Sequence, residues 1–167
     1  MINQMSTSEQ NIIDEIKAIP DPEIPVITIE ELGILKSISI DDNILNVIIT
    51  PTYTGCPAMQ HIENDIKKIA EKHFLKNYTV STVLSPAWTT DWISDTAKEK
   101  LRAYGIAPPE KTSVNKAVLL GKANRLVKCP QCGSVDTEMI NQFGSTACKA
   151  LYKCKNCMEP FDYFKCL

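Results

Sequence analysis

Apolar residues along the chain change their spacing several times, and each change marks a predicted element. Ile12, Ile13 and Ile16 form one stripe at helical spacing. Ser6-x-x-Glu9 ahead of them has the form of a capping box, and Pro20 stops the run. Asp21-Pro-Glu-Ile-Pro25 reads as a rigid turn, since each proline fixes its own φ and restricts the residue before it. Leu35 to Ile40 and Ile44 to Thr50 are β-branched runs flanking Asp41-Asp-Asn43, the pattern of a hairpin. From Pro57 to Phe74, Met59, Ile62, Ile66, Ile69 and Ala70 repeat at i, i+3 and i+4, an amphipathic helix. Tyr78 to Leu84 is a further strand. Asp91 to Tyr104 is a helix with Trp92, Ile93, Ala97 and Leu101 apolar and Gly105 as its stop.

The order α-β-β-α-β-α predicts an α+β fold, a small mixed sheet with helices on one face. After Pro109 the pattern changes. Glu110 to Arg125 reads as a connector, with Val118, Leu119 and Leu120 apolar enough for a docked arm. The remainder is rich in cysteine. The expected organisation is an α+β domain at 1–109, a connector at 110–125 and a four-cysteine zinc-ribbon domain at 126–167.

Composition narrows the function classes. The hydrophobic fraction is 44% and the formal net charge −2, which gives no global reason to expect nucleic acid or an anionic membrane as partner. No apolar run is long enough to span a bilayer, and the N-terminus lacks the pattern of a secretory signal. Seven cysteines, four of them in C-x-x-C pairs, suit a reducing compartment and metal binding rather than a disulfide framework. The expected location is cytoplasmic.

Cys129, Cys132, Cys154 and Cys157 form C-x2-C-x21-C-x2-C. Two thiolates three positions apart grip one tetrahedral ion from a single turn, and two such knuckles close its coordination sphere. Strand-like pieces at Asp136 to Ile140, Ala150 to Tyr152 and Phe161 to Phe164 complete a ribbon. The expectation is a structural zinc site, with rubredoxin-like iron as chemical competitor. A closed four-sulfur site leaves no open position for substrate, and a tail this short needs a metal to fold. Cys148 and Cys166 remain as buried residues, alternative ligands or free thiols, and the buried reading is favoured. From Cys129 onward four lysines (Lys149, Lys153, Lys155, Lys165) balance four acids (Asp136, Glu138, Glu159, Asp162), which argues against phosphate binding.

Cys56, in the stretch TPTYTGCPAM, stands apart from the other six. Pro57 suits the first helical position, so Cys56 falls at or next to the N-cap. There the partial positive charge and free N–H groups favour thiolate and lower the pKa. Thr50, Thr52 and Thr54 are candidate hydroxyl donors. Packing at a strand–helix joint explains Cys56 equally well on local grounds. His61 and His73 are expected on the solvated face of the following helix. Asp21 and Glu23 form either a functional acidic pair or the start of a turn. Trp92 is expected in the core, and Trp88, in a loop, on a more open recognition surface.

Three blocks in order, DPEIPVITIEELGIL, TPTYTGCPAM and SPAWTTDWISDTAKEKLRAYGIAPP, closely resemble the metal–sulfur cluster biosynthesis family, which includes SufT-type proteins. The tail CPQCGS…FGSTACKALYKCKNCMEPFDYFKC resembles the extension of the branch that accompanies phenylacetyl-CoA epoxidases. The resemblance implies an accessory component with no catalytic activity of its own. Its reactive cysteine falls on Cys56, its Asp-Pro-Glu motif on Asp21, Pro22 and Glu23, and its tryptophan loop on Pro86, Ala87 and Trp88. Trp88 and Thr54 are the implied interface candidates. It further implies transient iron or iron–sulfur cargo, and partners among epoxidase subunits, iron–sulfur assembly proteins or a second copy of the chain. The sequence has neither paired Glu-x-x-His di-iron helices nor a Gly-rich dinucleotide turn, so the oxygenase and reductase jobs belong to other subunits.

Overall fold

A computed structural model describes residues 6–75, 77–109 and 126–165. The expected connector at 110–125 and Cys166 lie outside the described residues. The chain divides into two compact units, Met1–Trp88 and Thr89–Leu167.

In the first unit, α1 (Thr7–Lys17) opens on the expected capping box: Ser6 accepts from the Glu9 N–H and Glu9 reaches back to the Ser6 N–H. Its buried face is Ile12, Ile13 and Ile16. Strands β1 (Leu35–Asp41) and β2 (Ile44–Ile49) pair antiparallel, with the turn carried by Asp42 and Asn43 at φ 50° and 60°. Two successive positive φ values match the twist of a two-residue hairpin, and short polar side chains tolerate them. Helix α2 (Ala58–Lys72) then carries the chain across to β3 (Asn77–Thr82), which pairs parallel with β2. The sheet order is β1-β2-β3. Leu45, Val47 and Ile49 of β2 point into the core with Ile62, Ile66 and Ala70 of α2, while Asn46 and Ile48 face the other way.

Between α1 and β1 the chain makes turns rather than a regular element, yet Ile24, Ile27, Ile29, Leu32 and Ile34 are all buried. A second reciprocal box, Thr28 with Glu31, satisfies two backbone N–H groups there. Helices α1 and α2 are tied at their ends by Glu15, whose carboxylate takes the Lys72 ammonium at 2.9 Å and His73 Nε2 at 3.1 Å. The expected surface histidine at 73 is thus partly buried and paired, because it ends α2 directly over α1. His61 is exposed, as expected.

The two tryptophans exchange their expected places. Trp88 is 5% exposed and its indole N–H donates to the Leu32 carbonyl at 3.0 Å. This corrects the open surface expected of it: the loop folds inward because Leu32 offers the acceptor a buried indole requires. Trp92 ends a 3-10 turn (Thr90–Trp92) and is only half-buried. The helix expected from Asp91 starts later, as α3 (Asp95–Ala103), because Ser94 caps it through the Ala97 N–H. Gly105 at φ 92° stops it as expected.

In the second unit, β4 (Ile106–Ala107), β5 (Thr137–Asn141), β6 (Lys149–Cys154) and β7 (Pro160–Phe164) form one sheet in the order β4-β7-β6-β5. The three ribbon strands were legible in the sequence; the two-residue strand β4, parallel to β7, was not. Ala107, Val127, Ala150, Tyr152, Phe161 and Tyr163 pack with Cys129 and Cys154 in one small core. Tyr152 stacks on Phe161 and meets Tyr163 edge-on. Trp88→Phe keeps most of the apolar contact but orphans the Leu32 carbonyl. It is expected to cost about 1–3 kcal/mol, read from urea unfolding.

Candidate functional site

Two C-x-x-C turns build the metal centre, and the backbone repeats itself in both. The Cys129 N–H donates to the Ser134 carbonyl at 2.9 Å, and the Cys154 N–H to the Glu159 carbonyl at 3.0 Å. Each turn needs a left-handed residue after its second cysteine: Gly133 at φ 74° and Met158 at φ 65°. Glycine does this freely; methionine does so at a steric cost, so only one of the two turns has the residue its geometry favours.

The four Sγ atoms lie within 4.8 Å of one another, with Cys129 to Cys157 at 3.6 Å and Cys132 to Cys154 at 3.5 Å. A regular tetrahedron with metal–sulfur bonds of about 2.3 Å has sulfur–sulfur edges of about 3.8 Å. The donor set therefore fits one tetrahedral ion. The expected ligands Cys129, Cys132, Cys154 and Cys157 are the ones brought together, and Cys148 is not among them. Cys148 is buried, as favoured, 3.0 Å from the Thr146 hydroxyl.

Backbone and side-chain donors already point at the sulfurs. The Cys157 N–H approaches Cys154 Sγ at 3.5 Å and the Asn156 amide approaches Cys132 Sγ at 3.8 Å. Cys132 and Cys157 are pushed in opposite directions. The Ser134 N–H and neighbouring groups hold Cys132 down to about 6 against desolvation. Cys157 receives the Glu159 N–H, but desolvation and the three other sulfurs push it up to about 12. Four such groups ionise together only when a cation shares them.

The second candidate site is in the first unit. Pro57 is itself the N-cap of α2 rather than its first residue, and Cys56 stands next to the N-cap, as expected. Its sulfur is half-buried. The expected lowering of its pKa is corrected: burial pushes the thiol up, the Ala58 N–H pulls it down, and the Glu23 carboxylate pushes it up again. The Tyr53 and Thr52 hydroxyls pull weakly in the lowering direction. The helix N-terminus thus acts as anticipated, but desolvation outweighs it.

Among the three threonines only Thr52 serves Cys56. Thr50 is buried with its hydroxyl unpartnered among the described residues, and Thr54 is exposed beside Gly55 at φ 83°. Tyr53 was overlooked, because a phenol reads as a packing residue until the loop turns it onto the sulfur. Asp21 is 5% exposed, and its Oδ1 accepts the Glu23 and Ile24 N–H groups at 3.0 and 2.9 Å. It closes the turn that carries Glu23, and Glu23 is the acid whose charge acts on Cys56.

Comparison with known proteins adds to this geometry. Residues 9–81 match the family described as "Iron-sulfur cluster assembly protein", and residues 113–165 the "PaaD zinc beta ribbon domain". The chain is 45% identical over 152 residues to the D subunit of a "Putative 1,2-phenylacetyl-CoA epoxidase" of Escherichia coli (strain K12), covering 91% of this chain and 89% of that one. The chain belongs to the PaaD family. It is also 33% identical over 92 residues to the Fe-S protein maturation auxiliary factor YitW of Bacillus subtilis (strain 168), covering 54% of this chain and 89% of that one. Among solved structures, a domain of unknown function, DUF59, from Bacillus anthracis superposes with a TM-score of 0.51 at 28% identity. The match covers 56% of this chain and 91% of that one. The iron–sulfur cluster assembly model thus falls on the α+β part of the chain and the zinc-ribbon model on the four-cysteine part. Among the described residues no helix is long and apolar enough to cross a membrane.

Two outcomes follow from these geometries. Glu23→Gln removes a like charge facing the sulfur and should speed alkylation of Cys56 at fixed pH, while Tyr53→Phe removes a donor and should slow it. Stripping the metal with a strong chelator should abolish the near-ultraviolet dichroism of the Tyr152, Phe161 and Tyr163 cluster, and restoring metal should return it.

Proposed function

We propose that this chain is an accessory, non-catalytic protein of a phenylacetyl-CoA epoxidase system, assisting iron or iron–sulfur cluster maturation of the multicomponent oxygenase. The observation that carries the reading is the Asp21-Pro22-Glu23 turn, whose Glu23 carboxylate is near enough for its charge to act on the Cys56 thiol at the N-terminal end of α2. The names of its relatives, an epoxidase component and Fe-S maturation factors, support it.

In this reading Cys56 is the cargo ligand, with Glu23 assisting and Asp21 holding the turn. A raised thiol pKa keeps Cys56 protonated at rest, and an arriving cation displaces the proton and cancels the like charge of Glu23. One thiolate holds a cluster weakly, so the remaining ligands come from a partner: an assembly protein, an epoxidase subunit or a second copy. Exchange of thiolate ligands then passes the cargo on. Zinc fills the four-cysteine centre, which the all-sulfur tetrahedral donor set suits, and the ribbon is a folding and docking device. The cysteine usage suits a cytoplasmic location.

A second reading, a structural or regulatory subunit of the epoxidase, is favoured by the desolvation of Cys56, which a packed thiol would also show. Cys56→Ser separates the two. Under the maturation reading it abolishes client activation in cells while elemental analysis still finds zinc in the ribbon. Unchanged client activation, with stable stoichiometric co-purification with the oxygenase subunits, sinks the carrier role.

A further inference from the structure

The second unit holds a buried cysteine and a buried lysine that neither the metal centre nor the Cys56 site uses. Cys148 is 5% exposed and Lys165 is 8% exposed. They face each other where the β6–β7 ladder continues past Lys149 and Phe164, joined by the Lys165 N–H to the Cys148 carbonyl at 2.9 Å. Side chains directly opposite on antiparallel strands leave the same face with Cβ atoms about 5 Å apart.

Lys165 Nζ has no carboxylate partner among the described residues. It donates to the Gln142 carbonyl and lies 4.4 Å from the centre of the Phe143 ring. An ammonium so placed is poorly compensated, and burial pushes it down toward the neutral amine, with only Cys148 acting against this. The neighbouring Lys149 is also buried but is engaged differently, through Ser145 to Asp162. Around Cys148 the Thr146 hydroxyl fixes the sulfur at 3.0 Å, so the thiol is held rather than rotating freely.

We propose that Cys148 and Lys165 form a covalent oxidative cross-link, a sulfur–oxygen–nitrogen bridge made with dioxygen. The S–H bond, one N–H bond and the O–O bond break; one S–O and one N–O bond form; the second oxygen atom leaves as water. Sulfur and nitrogen each give up two electrons and dioxygen accepts four. A dithiol reductant reverses the linkage. The bridge pins the 142–148 loop to the end of β7, so oxygen exposure stiffens the end of the ribbon away from the metal.

The test uses the full-length protein, purified without oxygen and then divided, one half held in air. Both halves are denatured, alkylated and digested for tandem mass spectrometry. The expected product in air is one species joining the peptides of Cys148 and Lys165, with the summed mass plus one oxygen less two hydrogens. Alkylation of Cys148 falls by most of its anaerobic value, and dithiothreitol restores it. Lys165→Arg keeps the charge but has no primary amine to bridge, so its Cys148 stays fully alkylated in air. Should that variant misfold, the air-against-anaerobic comparison of the unaltered chain decides alone. A Cys148 that stays fully alkylatable in air, or that is found in a disulfide, overturns the proposal.

Discussion

Four sulfurs within 4.8 Å of one another can all be thiolates only when a cation shares them, and the two cysteine turns are built around that constraint. The cluster packed around the metal centre is small: six side chains plus two of the ligand cysteines themselves, among the described residues. Burial of that size offsets little of the entropy of ordering the two cysteine turns, so a shared cation would add to their stability. The repeated backbone of the two knuckles shows what the constraint demands, a left-handed residue at Gly133 and again at Met158.

The described residues of the first unit hold no comparable cluster of ligands. Strand β2 is central, and α2 returns the chain to place β3 beside it in parallel. That crossover leaves the loop between β2 and α2 at the end of the sheet, and Cys56 sits on it. The turn closed by Asp21 reaches the same place from before β1. Two segments that are far apart in sequence thus act on one thiol, whose pKa is raised by burial first and by the Glu23 carboxylate after it. In the proposed carrier role such a thiol stays protonated, and so a poor nucleophile, until a cation displaces the proton.

Regular elements were readable because their signals are local. The stripe at Ile12, Ile13 and Ile16, the box at Ser6 and Glu9, the Asp42-Asn43 turn and the Gly105 stop each need only a few neighbouring residues. The four ligand cysteines were equally legible, because paired thiols three positions apart, twice over, suit a tetrahedral ion far better than chance packing. The family resemblance added Asp21, Glu23 and Cys56 as a set, but local spacing could not say which acid faces the sulfur.

The sequence by itself determined the order of elements, the α+β class and the ligand set, all encoded by short-range periodicity and spacing. Tertiary structure alone decided the rest. It put Trp88 inside because Leu32 offers its indole an acceptor. It left Trp92 half-buried, joined Ile106–Ala107 to β7, turned Tyr53 onto Cys56 and set Cys148 opposite Lys165. The reason is common to all five. A loop or edge residue carries no period of its own, so its burial and its partner are set by whatever distant segment folds against it.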